Sequence, residues 1–262
     1  MVASTRKFHE SNLGVTGEGT VDSGDVGTIV FCSANPNYTS VRGKSSRVDL
    51  DKDALVPSQI VSPTFLLSPG IEYDDPKRIN FAQVQNSRST HAVGYKALPF
   101  RTGYEKIVPY RMGSMYAMAA KDSGVIDEVT DRTMKVTYKD GTTETLEIGR
   151  KYGSWSGKTI PHELTTSLKV GDKFSKDDFL AYNSRYFQTD PLSPKDLMLT
   201  MYTLGRVVLW ETSVELEDGS GISKEFAKQL ASVTTHLTYI NVDFDTEVLN
   251  LLPVGTAVDS DS

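Results

Sequence analysis

Cysteine is almost absent: Cys32 is the only one in 262 residues. A disulfide framework and a cysteine-ligated zinc site are thereby excluded, and a reducing compartment is expected. Histidine is scarce as well. His9, His91, His162 and His236 show no metal-ligand spacing, which argues against a histidine metal centre. No apolar run approaches the roughly 20 residues that a membrane-spanning helix needs, and the first residues lack an apolar signal core. A soluble, intracellular protein without a membrane partner is the expectation. Positive charge is not in excess either: the net charge is −6. That argues against a free-standing DNA binder but allows one locally basic wall of a larger nucleic-acid machine. The phosphate-loop spacings GxxxxGK[ST] and GxGxxG are missing, and no internal repeat is visible.

What is present reads as β with a few helices. Hydrophobic residues make up 38% of the chain, enough for a core in one large domain or two small ones. GVTGEGTVDSGDVG (14–27) holds five glycines, which is loop chemistry with close backbone approach. TIVFCSA (28–34) predicts a short buried strand, and NPNYTSVRGKSSR (35–47) a polar, turn-rich stretch. DPKRINFAQVQNSRSTH (75–91) predicts a helix, with Asp75 as cap and Pro76 in the first position. It is a polar helix, with Arg78 and Gln85 on one face, so it is either solvated or pressed against something charged. YAMAAKDSGVIDEV (117–129) reads strand, turn, strand. MKVTYKDGTTETLEI (134–148) reads as a hairpin turning at Asp140-Gly141. SLKVGDKF (167–174), GRVVLWETSVEL (205–216) and THLTYINVDF (235–244) predict further strands, and ISKEFAKQLAS (222–232) a second helix. The tail AVDSDS (257–262) predicts disorder.

Two acidic pairs carry the candidate chemistry. Asp74-Asp75 precedes Lys77 and Arg78, and Glu217-Asp218 precedes a Gly-Ser-Gly turn. Adjacent carboxylates cannot both enter one core, so each pair is either surface turn or cation site. Taken alone, a turn or a helix cap is the cheaper reading. His91, His162 and His236 read as ordinary hydrogen-bonding residues. Trp155 and Trp210 read as core or interface anchors.

The order of these segments resembles the middle of the β subunit of multisubunit DNA-dependent RNA polymerases. GEGTVDSGDVG (17–27) followed by TIVF looks like the family's loop and strand near the fork of the active-site cleft. EYDDPKRINFAQVQNSR (72–88) resembles its block of an acidic pair, a basic residue and an amide-rich helix. RTGYEKIV (101–108), AKDSGVIDEVTDRTMKV (120–136), SLKVGDKF (167–174) and GRVVLWETSVELEDGSGIS (205–223) resemble later blocks in the same order. There are departures. Val21, Asp22 and Ser23 stand where a Pro-Glu-Gly is expected. Glu215 and Leu216 replace an Asn-Phe before the second acidic pair, and Gly219 replaces a serine. Such divergence, with the short length, looks like the polymerases of large bacteriophages, in which β and β′ are split into separate polypeptides.

The resemblance implies a mostly β, α+β fold forming part of a double-psi β-barrel that another chain completes. It divides the chain into a fork-like region (1–60), a hybrid-binding partial barrel (61–250) and a flexible acidic tail (251–262). Arg78 would contact the phosphates of the incoming NTP, oriented by Asp74 and Asp75. Gln85, Arg88 and Asp25 would contact nucleic acid. Glu217 and Asp218 would approach the second, nucleotide-borne Mg2+ through water. The tightly bound Mg2+ would sit on the β′-like partner, because no Asp-x-Asp-Gly-Asp run exists here. Implied partners are other β-like and β′-like chains, template DNA, the RNA transcript and NTPs. The implied location is the interior of an infected bacterium or the virion. Two rival readings are a non-catalytic phage structural protein and a stand-alone metal-dependent phosphoryl-transfer enzyme using both acidic pairs.

Overall fold

Caps and prolines set the helix starts in the computed structural model, which describes residues 10–20, 29–41, 44–47, 55–155, 158–211, 213, 219–233 and 239–259. α1 (Pro57–Ile60) and α2 (Pro63–Leu66) each open on a proline, and Ser62 Oγ accepts the Phe65 N–H at 3.1 Å ahead of α2. α3 (Pro76–Arg88) is the long helix, capped by Asp75 as the sequence predicts. α4 (Val108–Arg111) and α5 (Lys224–Gln229) are short, the latter capped by Ser223 within the predicted 222–232 stretch.

β1 (Thr16–Thr20) pairs antiparallel with β2 (Val30–Cys32), and β3 (Tyr38–Val41) with β4 (Lys44–Arg47). Then follow β5 (Ala117–Ala119), β6 (Gly124–Val129), β7 (Thr133–Tyr138), β8 (Thr143–Glu147) and β9 (Gly149–Trp155). β10 (Lys158–Thr165), β11 (Lys173–Phe174), β12 (Phe179–Asn183), β13 (Phe187–Asp190) and β14 (Ser193–Leu199) complete the series. They build two four-stranded antiparallel sheets, β5-β12-β10-β9 and β11-β6-β7-β8, beside a β13-β14 ribbon. The expected mostly β fold with few helices is the one that forms. No barrel closes among the described residues, and each four-stranded sheet keeps two edges.

Alternation in β7 sends Met134, Val136 and Tyr138 inward while Lys135 faces solvent. These side chains meet Ile126 of β6 and Leu164, Leu180 and Ala181 of the other sheet in one cluster. Each fully buried aliphatic side chain contributes ~1.5–3 kcal/mol, which makes this layer between the sheets the main stabilising unit. A second cluster of Leu67, Val108, Ala117, Phe187 and Leu197 ties the end of α2 and α4 to β5 and the ribbon. α5 is fastened separately. Gly94 N–H donates to Gln229 O at 2.8 Å, Val93 N–H to Ala231 O at 2.9 Å, and Thr203 Oγ1 to Gln229 Oε1 at 3.0 Å. The Arg185 guanidinium donates to Val233 O.

Several local expectations are corrected. The first half of the glycine-rich loop is strand β1, and residues 21–28 lie outside the described part. The strand at 30–32 forms, but Val30 and Cys32 are exposed rather than buried. The turn-rich 35–47 stretch contains the β3-β4 hairpin. The strand–turn–strand expected at 117–129 forms, as β5 and β6, and because the two strands belong to different sheets it is a crossing between layers. The hairpin at 134–148 forms as predicted, with Asp140 Oδ1 accepting the Thr142 N–H at 2.8 Å in its turn. In 167–174 only Lys173 and Phe174 pair, because Asp172 Oδ2 accepts the Lys169 N–H at 2.8 Å and makes a turn of the rest. Residues 205–211 join no ladder, and Val207, Val208, Leu209 and Trp210 are all at least 79% exposed, so Trp210 is no core anchor. A strand-forming composition is stabilised only when a neighbouring strand and a buried face exist. The strand expected at 235–244 lies partly outside the described residues; 239–244 are irregular and exposed. Of the tail, 257–259 are exposed coil, and 260–262 are outside the described part.

Among the described residues, His91 and His162 sit where aromatic packing dominates, while His9 and His236 lie outside them. His91 lies edge-on to Tyr95 and Tyr186, each at 5.5 Å between ring centres. His162 is buried, 4.6 Å from the Tyr116 ring, with Nδ1 3.4 Å from Asn183 Nδ2. Burial first, and then the Arg185 charge, push both imidazoles below 6.5. The folded state therefore binds fewer protons than the unfolded chain just below 6.5. Stability from these two sites is complete above that value and falls as pH drops through the lowered folded pKa values. Thermal unfolding scanned from about pH 8 to about pH 5 should show Tm falling on the acid side. A His91→Phe, His162→Phe double variant should flatten that slope.

Candidate functional site

α3 has two chemically distinct faces. Ile79 and Gln83 are buried and Asn86 half-buried on the inner one. Asn86 Nδ2 donates to Ser68 Oγ at 3.0 Å and to Tyr202 Oη at 3.1 Å, and Tyr202 Oη donates to Leu67 O at 2.6 Å. Burial pushes the Tyr202 phenol up to about 12, so it stays a neutral donor. Gln83 Nε2 reaches Gly19 O at 3.5 Å. β1 passes so near that a side-chain carbon at Gly19 would lie 2.6 Å from Gln83 Oε1, so a larger residue there would displace the Gln83 amide. Two of the amides that make this helix look polar, Gln83 and Asn86, are therefore its anchors.

The outer face carries Arg78, Phe81, Gln85 and Arg88, all exposed and spaced to form one stripe. The Arg78 guanidinium lies over the Phe81 ring, 5.9 Å from its centre. The expectation that Asp74 and Asp75 orient Arg78 is not met. Asp74 Oδ1 accepts the Asp75 N–H at 2.7 Å, and Asp75 Oδ1 accepts the Lys77 N–H at 2.9 Å. Both carboxylates are committed to backbone donors at the helix start, and Arg78 pairs with no carboxylate among the described residues. The guanidinium is left open to an outside anion. Asp25, Glu217, Asp218 and His236 lie outside the described residues, so the structure places neither the second acidic pair nor the fork-like loop against this stripe. Among the described residues no group of three His, Cys, Asp or Glu side chains could hold a metal ion.

RTGYEK (101–106) proves to be a structural clasp. Gly103 sits at φ +96°, a conformation that favours glycine. The buried Glu105 carboxylate accepts Gly103 N–H at 2.8 Å, Thr102 N–H at 3.1 Å and Thr102 Oγ1 at 3.1 Å. This tight turn aims Arg101 and Lys106 at Asp190, whose side chain has no solvent exposure. Arg101 Nη1 pairs with Asp190 Oδ1, and Lys106 Nζ lies 2.6 Å from Asp190 Oδ2 and 2.8 Å from Asp196 Oδ2. Burial opposes ionisation of Asp190, but hydrogen bonds from Arg101, Lys106 and the Leu192 N–H outweigh it. They hold the carboxyl far below its ordinary range. Sequence reading did not single out Asp190. The available signal was the Asp-Pro step after a strand, where the carboxylate also caps Leu192 N–H at 2.8 Å.

Removing one member of this buried set strands the others. Asp190→Ala should lower stability by about 3–5 kcal/mol, read as a shift in denaturant midpoint, whereas removing Glu163 from its exposed pair with Arg150 should leave the midpoint unchanged. Gly19→Ala should loosen β1 from α3, seen as faster amide exchange in β1 and β2 with the inter-sheet core unaffected.

No family model matches the chain. It is 28% identical over 153 residues to the DNA-directed RNA polymerase subunit beta of Oenococcus oeni, covering 56% of this chain and 12% of that protein. It is 24% identical over 194 residues to the subunit of the same name from Limosilactobacillus reuteri, covering 74% of this chain and 15% of that one. The chain thus spans 12–15% of the length of these curated relatives. These partial similarities support descent from, or kinship with, a segment of the polymerase β subunit.

Proposed function

We propose that this chain is a β-like piece of a multisubunit DNA-dependent RNA polymerase of the split kind encoded by large bacteriophages. In this reading it lines the active-site cleft during transcription. The observation that carries the proposal is α3: an amide-anchored helix whose exposed arginines pair with no carboxylate among the described residues, inside a chain whose sequence is similar to polymerase β subunits. Arg78 is the contact to the phosphates of the incoming NTP, a task suited to a permanently charged planar fork. Gln85 and Arg88 face the RNA–DNA hybrid, and Asp25 approaches it from the fork-like loop. Glu217 and Asp218 would hold the nucleotide-borne Mg2+ through water, and the β′-like partner would hold the tight metal. Bound there, the metals would supply the positive charge that phosphoryl transfer needs. The chain is therefore inactive alone and works inside an infected bacterium or from the virion. Its open sheets are part of a double-psi type barrel completed by another polypeptide.

The exposed apolar run at 207–210 also suits a non-catalytic virion protein that assembles through it. Recovery of the chain from its native source, with mass spectrometry and a nucleotide-incorporation assay on the eluate, separates the two readings. Large chains, one bearing an Asp-x-Asp-Gly-Asp run, and Mg2+-dependent RNA synthesis are the expected result. Recovery of copies of itself alone, without synthesis, would establish the structural reading. In the assembled enzyme Arg78→Ala should raise the apparent KM for NTPs by about tenfold or more, the worth of one charge-assisted contact. An unchanged NTP dependence would remove Arg78 from that role.

A further inference from the structure

Both four-stranded sheets present an edge strand to one cleft. β5 contributes one side and β8 the other, around a cavity of about 550 Å3 lined by the apolar side chains Met112, Met118 and Leu146. The ladder determines which backbone groups of β8 are open. Tyr138 N–H donates to Thr142 O at 2.9 Å, and Ile148 N–H to Arg132 O at 2.8 Å. Even-numbered positions of β8 therefore bond β7, and the N–H and C=O of Thr143, Thr145 and Glu147 turn away from it. Those outward groups find no hydrogen-bond partner among the described residues.

Edge strands are commonly guarded by charge. Here the guard is neutralised: Lys121 Nζ sits 2.7 Å from Glu144 Oε1, and Lys151 Nζ 3.5 Å from Glu147 Oε2. What remains is a slot of mixed walls, with Met112, Met118 and Leu146 beside Thr145 and the two Lys–Glu pairs, and a row of open donors and acceptors.

We propose that β8 is a docking edge for an extended strand of alternating apolar and uncharged polar residues, supplied by polypeptide outside these 262 residues. The strand pairs with Thr143, Thr145 and Glu147 and joins the two sheets across the cleft. The inference rests on the polymerase reading above and specifies where that assembly closes. An outside source fits the 12–15% of the relatives' length that this chain spans, since in them most of the β polypeptide is available to supply the strand.

The test compares amide exchange in the chain alone with exchange in the complex recovered from the native source. A Thr145→Pro variant is carried through the same recovery. Proline at 145 removes an outward donor and fills the edge, while the β7-β8 bonds at 144 and 146 remain. Protection of the 143, 145 and 147 amides only in the complex is expected, together with at least about tenfold less partner recovered with Thr145→Pro. Unprotected amides in a transcribing complex overturn the edge proposal and leave the polymerase reading intact. Protection in a complex that makes no RNA overturns only the polymerase reading. Protection produced by self-association of the pure chain assigns the edge to a second copy and overturns the outside source. No partner and no protection overturn both.

Discussion

The charge cluster around Asp190 is the constraint on which the middle of the molecule depends. A carboxylate with no solvent exposure must be matched by cations that are themselves fixed. Arg101 and Lys106 meet that demand because the turn between them is locked by Glu105 and by the left-handed Gly103. The turn fixes the start of α4, and α4 with the end of α2 and the ribbon builds the second core cluster. The segment that leads from α3 into the sheets is thereby clamped to β13 by electrostatics and to β5 by apolar packing.

The second organising feature is the division of labour on α3. Its inner amides bond to Ser68, Tyr202 and the backbone of β1, and the cationic stripe outside pairs with no carboxylate among the described residues. Arginines that stabilise a structure are normally found with carboxylates nearby, and both neighbouring aspartates here serve backbone N–H groups instead. A helix held so firmly on one side is a rigid support for whatever its other side touches.

The sequence was most legible where a local rule decided the outcome. Asp75-Pro76 announced the start of α3, Ser223 the start of α5, and Asp140-Gly141 the β7-β8 turn, because each depends on residues within a few positions. It was least legible where partners are distant or missing. Arg101 and Asp190 are 89 positions apart, and no pattern of charge spacing connects them. Val207–Trp210 has the composition of a strand but no neighbour among the described residues. Tyr38–Val41 and Lys44–Arg47 form a hairpin in spite of a polar, turn-rich composition. Of the candidate site, the shared face of Arg78 and Gln85 was readable from helical spacing, whereas Arg88, expected elsewhere on the helix, joins their exposed stripe in the structure. The cap by Asp75 was readable too; that Asp74 also serves a backbone N–H was a matter of geometry.

The fastening of α5 bears on how a gene for such a protein can be broken. Thr203 and Gln229 hold hands across the mouth of the intervening segment, and the strand of chain at 93–94 and Arg185 grip its far side. A new terminus or an insertion between these two anchor points would leave each flank attached to the same body. Loop length adds only slowly to the entropy of closure. The region after β14 is thus a natural seam, at which an ancestral coding sequence could be cut or lengthened without the flanking pieces losing their seats.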